Sequence, residues 1–110
     1  MDLKIDTDRI FVGDRWWRFD KHVLQAKQIG DRILVIFDYM AYPQGRPAAN
    51  LVAFDAHQKK LWEAQNPSNG SSDAFVNFLD EVPLLVWNFA GYLCEIDLFT
   101  GRLHRSEFGK

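Results

Sequence analysis

The sequence predicts an all-β protein: two antiparallel four-stranded, blade-like meanders plus an N-terminal hairpin, packed face to face as a sandwich or an incomplete propeller. Three observations lead there. Most segments are short runs rich in Val, Ile, Phe, Trp and Tyr, broken every ~8–12 residues by Gly, Asp, Asn or Pro, which is the punctuation of strands and turns. Residues 50–62 and 92–104 repeat each other at an offset of 42, with a strand, an aspartate (Asp55, Asp97), a reversal, a basic residue (Lys60, Arg102) and a leucine (Leu61, Leu103) in matching places. The runs 33–37 and 84–87 are apolar on both parities. Successive side chains of a strand point to opposite faces, so both faces of these strands require cover.

Taken in order, residues 1–21 read as the N-terminal hairpin, with strands at 10–12 and 16–19 reversing at Gly13-Asp14. The first meander occupies 22–65, with strands at 23–29, 33–39, 51–55 and 60–65. Gly30-Asp31 makes its first turn, and a long loop follows the second strand. The second meander occupies 74–108, with strands at 74–79, 84–89, 92–97 and 102–108 and turns at Asp80-Glu81 and Ala90-Gly91. Between the two, residues 66–72 (Asn-Pro-Ser-Asn-Gly-Ser-Ser) read as a crossing loop by composition. Residues 72–79 also fit a short helix capped by Ser72, since Phe75, Phe78 and Leu79 suit a 3.6 period. Their place in the repeat favours a strand. Asp55 and Asp97, each ending a strand, are positioned to accept hydrogen bonds from the N–H groups of the following reversal. Gly101 supplies the positive φ such a reversal needs; Lys59 stands at its place in the first copy, which either costs about 1 kcal/mol relative to glycine or marks a different first turn.

The repeated pattern is carried by Val52-Ala53-Phe54-Asp55-Ala56, Lys60 and Trp62, and again by Glu95-Ile96-Asp97-Leu98, Thr100-Gly101, Arg102 and His104. It resembles the blade repeat of quinoprotein-type (PQQ-type) β-propellers. The resemblance implies four-stranded blades, yet two blades do not close a ring, so stacking of the sheets or oligomerisation must cover the open sides. Lys59 in place of glycine, and His104 in place of Trp62, depart from the repeat. No position that carries quinone or metal ligands in the enzymes of that family is present, and no cofactor is expected.

At 110 residues the chain reads as one domain, and 47% hydrophobic content marks a folded protein with a substantial core. Thirteen basic and fifteen acidic residues, net charge −2 and scattered, lack the basic footprint of a nucleic-acid binder. No apolar run approaches the ~20 residues of a membrane span. The single cysteine, Cys94, and the polar N-terminal residues point to the cytoplasm.

Catalytic patterns are missing from the sequence. His22, His57 and His104 have no metal-ligand spacing, and Cys94 shares a strand face with Ile96 and Leu98, as a small buried hydrophobe does. Asp38, Glu63, Asp80, Glu81 and Glu95 read as solvated carboxylates. Two features suit recognition instead. The excursion 38–49 is long where its sister copy has a tight turn; it carries Tyr39, Tyr42 and Arg46, residue types enriched at protein interfaces, and two prolines that limit the entropy lost on docking. In the run 15–19, Trp17 and Phe19 point one way, and Trp16 with Arg18 points the other. The structural alternatives are a loop tucking Tyr39 and Tyr42 into the core, and arginines stacked on Trp16 within the fold. The expected function is a non-enzymatic protein-binding module, in its most specific form a bacterial immunity protein neutralising a toxin, with Trp16, Arg18, Tyr39, Tyr42 and Arg46 as contact residues. Two other readings are a small-ligand binder or small enzyme using the inter-sheet interior, with Asp38, Glu95 or His104 as polar handles, and a self-assembling homodimer or ring.

Overall fold

A computed structural model describes residues 1–67 and 73–109. Eleven strands and one short 3-10 turn make up the regular structure of these residues. Strands β1 (Ile5–Asp6), β2 (Arg9–Val12) and β3 (Arg15–Arg18) form an N-terminal antiparallel sheet. The next four, β4 (Val23–Ile29), β5 (Arg32–Phe37), β6 (Leu51–Phe54) and β7 (Lys60–Glu63), make the first four-stranded meander. The second contains β8 (Phe75–Asp80), β9 (Leu85–Asn88), β10 (Tyr92–Ile96) and β11 (Leu103–Phe108), each paired with its sequence neighbour. No helix of the described residues is long and apolar enough to cross a membrane.

Layering follows from side-chain parity. In β5, Leu34 and Ile36 face one way and join Leu51, Ala53 and Trp62 against Phe75, Phe78, Val86, Cys94 and Ile96 of the second meander. Ile33, Val35 and Phe37 face the other way and join Val52 and Phe54 against Ile10 and Trp17 of the N-terminal sheet. The first meander is thus the middle layer, covered on both faces. Burying each of these large side chains is worth roughly 1.5–3 kcal/mol, which is why β5 needs no polar face. The second meander buries only the face carrying Phe75, Val86, Cys94 and Ile96. On its other face Leu85, Trp87 and Leu93 are half-buried.

Several sequence expectations are adjusted by the geometry. The N-terminal hairpin is a three-stranded sheet, because Ile5 pairs with Ile10 and Asp6 with Arg9. Ahead of it, Leu3 N donates to Ala26 O at 3.0 Å, so the first residues run beside the edge of β4. Tyr39 leaves β5 for a 3-10 turn over Tyr39–Ala41, whose first N–H groups are capped by Asp38. Residues 75–80 form a strand and not a helix; Ser72, the cap that a helix would use, and the stretch 68–72 of the crossing loop lie outside the described residues.

The duplicated hairpins match in detail, with one correction. Asp55 Oδ1 accepts from His57 N at 2.8 Å and Lys59 N at 3.0 Å; Asp97 Oδ1 accepts from Phe99 N at 2.8 Å and Thr100 N at 3.1 Å. In the first copy the left-handed residue is Gln58, with φ of 64°, not Lys59; in the second it is Gly101, with φ of 76°. Ala53 pairs with Trp62, while Glu95 pairs with Arg105. The second reversal is therefore one residue longer, and the offset of 42 that aligns β6 with β10 becomes 43 for β7 and β11. Arg105, not His104, stands in the place of Trp62. The Trp62 ring closes over the Gly101 backbone, and its Nε1 donates to Leu98 O at 3.0 Å, which fastens the edge of one meander to the end hairpin of the other.

Candidate functional site

The excursion between β5 and β6 is anchored at both roots. Asp38 N donates to His22 O at 2.9 Å, and the Asp38 side chain accepts from Met40 N at 2.9 Å. At the other end Asn50, completely buried, spans two layers: its Nδ2 donates to Phe37 O at 2.9 Å and Phe75 O at 2.8 Å, while its Oδ1 accepts from Phe75 N at 2.9 Å. Ala48 N donates to Asp73 O at 2.8 Å, in a short parallel bridge between 47 and 73. The first root is thereby tied to the residue ahead of β4, and the second root to the neighbouring meander.

Between the excursion and the start of the second meander lies an open cleft of about 180 Å³. Tyr39, Met40, Tyr42 and Arg46 line it from the excursion, with Asp73 and Phe89 on the opposite side. The rim is unusually apolar for a surface, since Met40 is 71% exposed, Phe89 68% and Tyr39 46%. Tyr39 and Phe89 lean on each other with ring centroids 6.5 Å apart. Asp73 is only 6% exposed. Its Oδ1 accepts from Ala74 N at 2.8 Å and Ala90 N at 3.1 Å, whereas its Oδ2 is shielded from water and has no hydrogen-bond partner among the described residues.

The five residues singled out from the sequence divide into two groups. Tyr39, Tyr42 and Arg46 meet at the cleft. Tyr42 does double duty, because it also packs against the Ile10–Trp17 core, where burial first, and then the Glu63 and Asp20 charges, push its hydroxyl up to about 12. Trp16 and Arg18 share the outer face of the N-terminal sheet, and among the described residues no residue of that sheet lines the cleft. Trp16 is held within its own sheet: Phe11 packs edge-on at 5.3 Å, and the guanidinium of Arg9, itself paired with Asp6 at 2.7 Å, lies 4.5 Å from the Trp16 ring centroid. The stacking arginine is Arg9, neither of the two that flank the tryptophans. Asp73 and Phe89 carried no signal in the sequence, because only tertiary packing brings them to the excursion; Asn50 borders it in sequence, but its bonds to Phe75 depend on the same packing.

A second depression, about 290 Å³, lies between the first residues and β4. Its polar groups are spent internally. Lys27 Nζ pairs with Asp2 at 2.7 Å and Glu81 at 3.2 Å, and Gln25 Oε1 accepts from Phe78 N at 2.8 Å.

The expected polar handles of an inter-sheet site stand elsewhere. Asp38 caps the 3-10 turn, and Glu95 and His104 lie on the surface, with His104 Nδ1 3.4 Å from Glu95 and its Nε2 3.1 Å from Asp97. The space between the two meanders is filled by the packed side chains of the core. Cys94 is buried there, and burial, with the Asp73 charge behind it, pushes its thiol up to about 12, so the thiolate that a nucleophile needs is suppressed at neutral pH. Among the described residues no group of three or more His, Cys, Asp or Glu side chains is placed to hold a metal ion.

No curated protein and no solved structure matches this chain. The model of one family matches residues 1–108, nearly the whole length, and the chain therefore belongs to the family described as a domain of unknown function, DUF7957.

Proposed function

We propose that this protein is a non-enzymatic protein-binding module whose contact surface is the excursion 38–49 together with Phe89. The observation that carries the reading is the rim of the cleft. Tyr39 and Met40 stay exposed beside Phe89, on a loop whose roots are fixed by hydrogen bonds, those of Asn50 buried. A clustered apolar patch on a soluble domain is costly to leave in water and marks a place where another surface docks. Tyr, Met and Arg are the residue types that dominate such contacts, and a loop held at both ends loses little entropy on binding. Trp16, already stacked on Phe11 and beneath Arg9, is a secondary contact at most.

Affinity capture from a native lysate tests the reading, using the wild-type chain beside the triple variant Tyr39→Ala/Met40→Ala/Arg46→Ala. These three side chains avoid the core, so thermal stability of the variant should stay within a few degrees of wild type. The expected result is a protein retained by the wild type and lost from the variant. Retention of the same proteins by both chains would remove the excursion from the contact surface.

A further inference from the structure

We infer that the cleft seats a single basic side chain, lysine or arginine, of the protein partner, with the Asp73 carboxylate as its counter-charge and the Tyr39 and Phe89 rings as its walls. This inference rests on the protein-binding reading above and deepens it.

The argument begins with the unused half of Asp73. More than nine in ten buried polar groups in folded proteins have a hydrogen-bond partner, and one that lacks it carries the desolvation penalty uncompensated. Asp73 Oδ1 is satisfied by two backbone N–H groups, yet Oδ2 is not, in a residue that walls the cleft. A carboxylate oxygen only accepts, so what completes it is a donor, and a cationic donor does so most strongly. The described ion pairs include none that reaches Asp73. The surrounding rings agree with this choice, because the faces of Tyr and Phe attract ammonium and guanidinium groups.

Size decides between a free small molecule and a side chain. Pockets that enclose whole ligands run to ~300–1,000 Å³, and the cleft, at about 180 Å³, holds one long side chain and little more. Because Oδ2 is shielded from water, the incoming donor displaces covering protein atoms and not water. Met40, unbranched and 71% exposed, is free to swing aside. Arg46, on the same rim, disfavours a second basic residue next to the first, so the segment recognised carries an isolated lysine or arginine.

Two capped tripeptides, acetyl-Gly-Lys-Gly-amide and its neutral counterpart acetyl-Gly-norleucine-Gly-amide, are titrated separately into the full chain while the backbone amides of Ala74, Ala90 and Ala48, which surround Asp73, are followed by NMR. The lysine peptide should shift these amides saturably, and the norleucine peptide should bind about tenfold more weakly or worse, as expected for loss of one charge-assisted hydrogen bond. Asp73→Asn should bring the two peptides to equal affinity. Equal binding to the wild type, no saturable shift with the lysine peptide, or a lysine preference that survives Asp73→Asn each overturns the inference. Should Asp73→Asn fail to fold, Met40→Trp, which fills the mouth of the cleft, takes its place: loss of lysine-peptide binding supports the site, and undiminished binding overturns it. A lysate partner that depends on the excursion, with no lysine preference, sinks this inference alone. Lysine preference without any such partner sinks the protein-binding reading and leaves the cleft a site for cations.

Discussion

Asn50 and Phe75 exchange two hydrogen bonds as though the asparagine amide were a short piece of strand: Nδ2 donates to Phe75 O at 2.8 Å, and Oδ1 accepts from Phe75 N at 2.9 Å. Both residues are completely buried. The pair joins the middle layer to the second meander where neither sheet supplies a backbone partner. It also sets the position at which the excursion ends and β6 begins.

Replacing Asn50 with alanine orphans Phe75 N, Phe75 O and one bond to Phe37 O, all in the dry interior. Such losses cost roughly 2–5 kcal/mol together, a large share of what a domain of this size possesses. Urea unfolding should show a lower midpoint with an unchanged slope. Asn50→Asp should be no better than alanine at neutral pH, because its second oxygen would face two carbonyls that need a donor.

The Gly101 reversal gives a second expectation. A Cβ at this position would stand 2.5 Å from Trp62 Cε3, at φ of 76°, so Gly101→Ala should cost about 2–4 kcal/mol, combining conformational strain with displacement of the ring. Gly13→Ala, at φ of 63° with open space around it, should cost only about 1 kcal/mol. Their difference isolates the Trp62 contact. At Gln58, glycine relieves the left-handed strain but removes the bond from Nε2 to Arg18 O, so chemical denaturation should find Gln58→Gly within about 0.5 kcal/mol of wild type.

Much of this architecture could be read before any coordinates. The residues 23–29 became β4 at the expected bounds because Val23 and Ile29 are flanked by turn signals on both sides. The two-sided apolar runs announced covered faces, and β5 is covered twice for that reason. Which meander becomes the middle layer was not legible: it depends on the N-terminal sheet docking through Ile10 and Trp17, a long-range event without a local signature. The extra residue in the Asp97 reversal escaped alignment because, at the unbroken offset of 42, Lys60 and Leu61 still fall on Arg102 and Leu103, and these like residue types hide the shift. For the candidate site, the excursion stood out as a length difference between copies. Asp73 and Phe89 did not, since only the stacking of the meanders brings them to the loop.

Acid should weaken the two duplicated turns. The N–H groups of Lys59 and His57 hold the Asp55 carboxyl below its usual 3.8, and those of Phe99 and Thr100, with His104 nearby, do the same for Asp97. A carboxylate with a depressed folded-state value contributes stability above its unfolded value and loses it as the pH falls through the folded one. Stability should therefore decline below about pH 3.8 in the wild type, and the slope should flatten in Asp55→Asn/Asp97→Asn when unfolding is measured as a function of pH.

At the alkaline end Tyr42 sets the expectation. Its hydroxyl is pushed up to about 12 from 10.0, so its contribution is fully present below pH 10 and is lost as the pH rises toward 12. Tyrosinate absorbance should show the Tyr42 hydroxyl ionising late. In Tyr42→Phe that late step should vanish, and the alkaline loss of stability should become shallower.

With His22 and Asp38 clamping one root of the excursion and Asn50 and Asp73 clamping the other, the stretch from Tyr39 to Pro47 behaves like an exchangeable tool head on a fixed handle. Relatives within the family are free to vary its sequence and length without renegotiating the scaffold beneath. Variation among them should gather on this stretch while the clamping residues stay put.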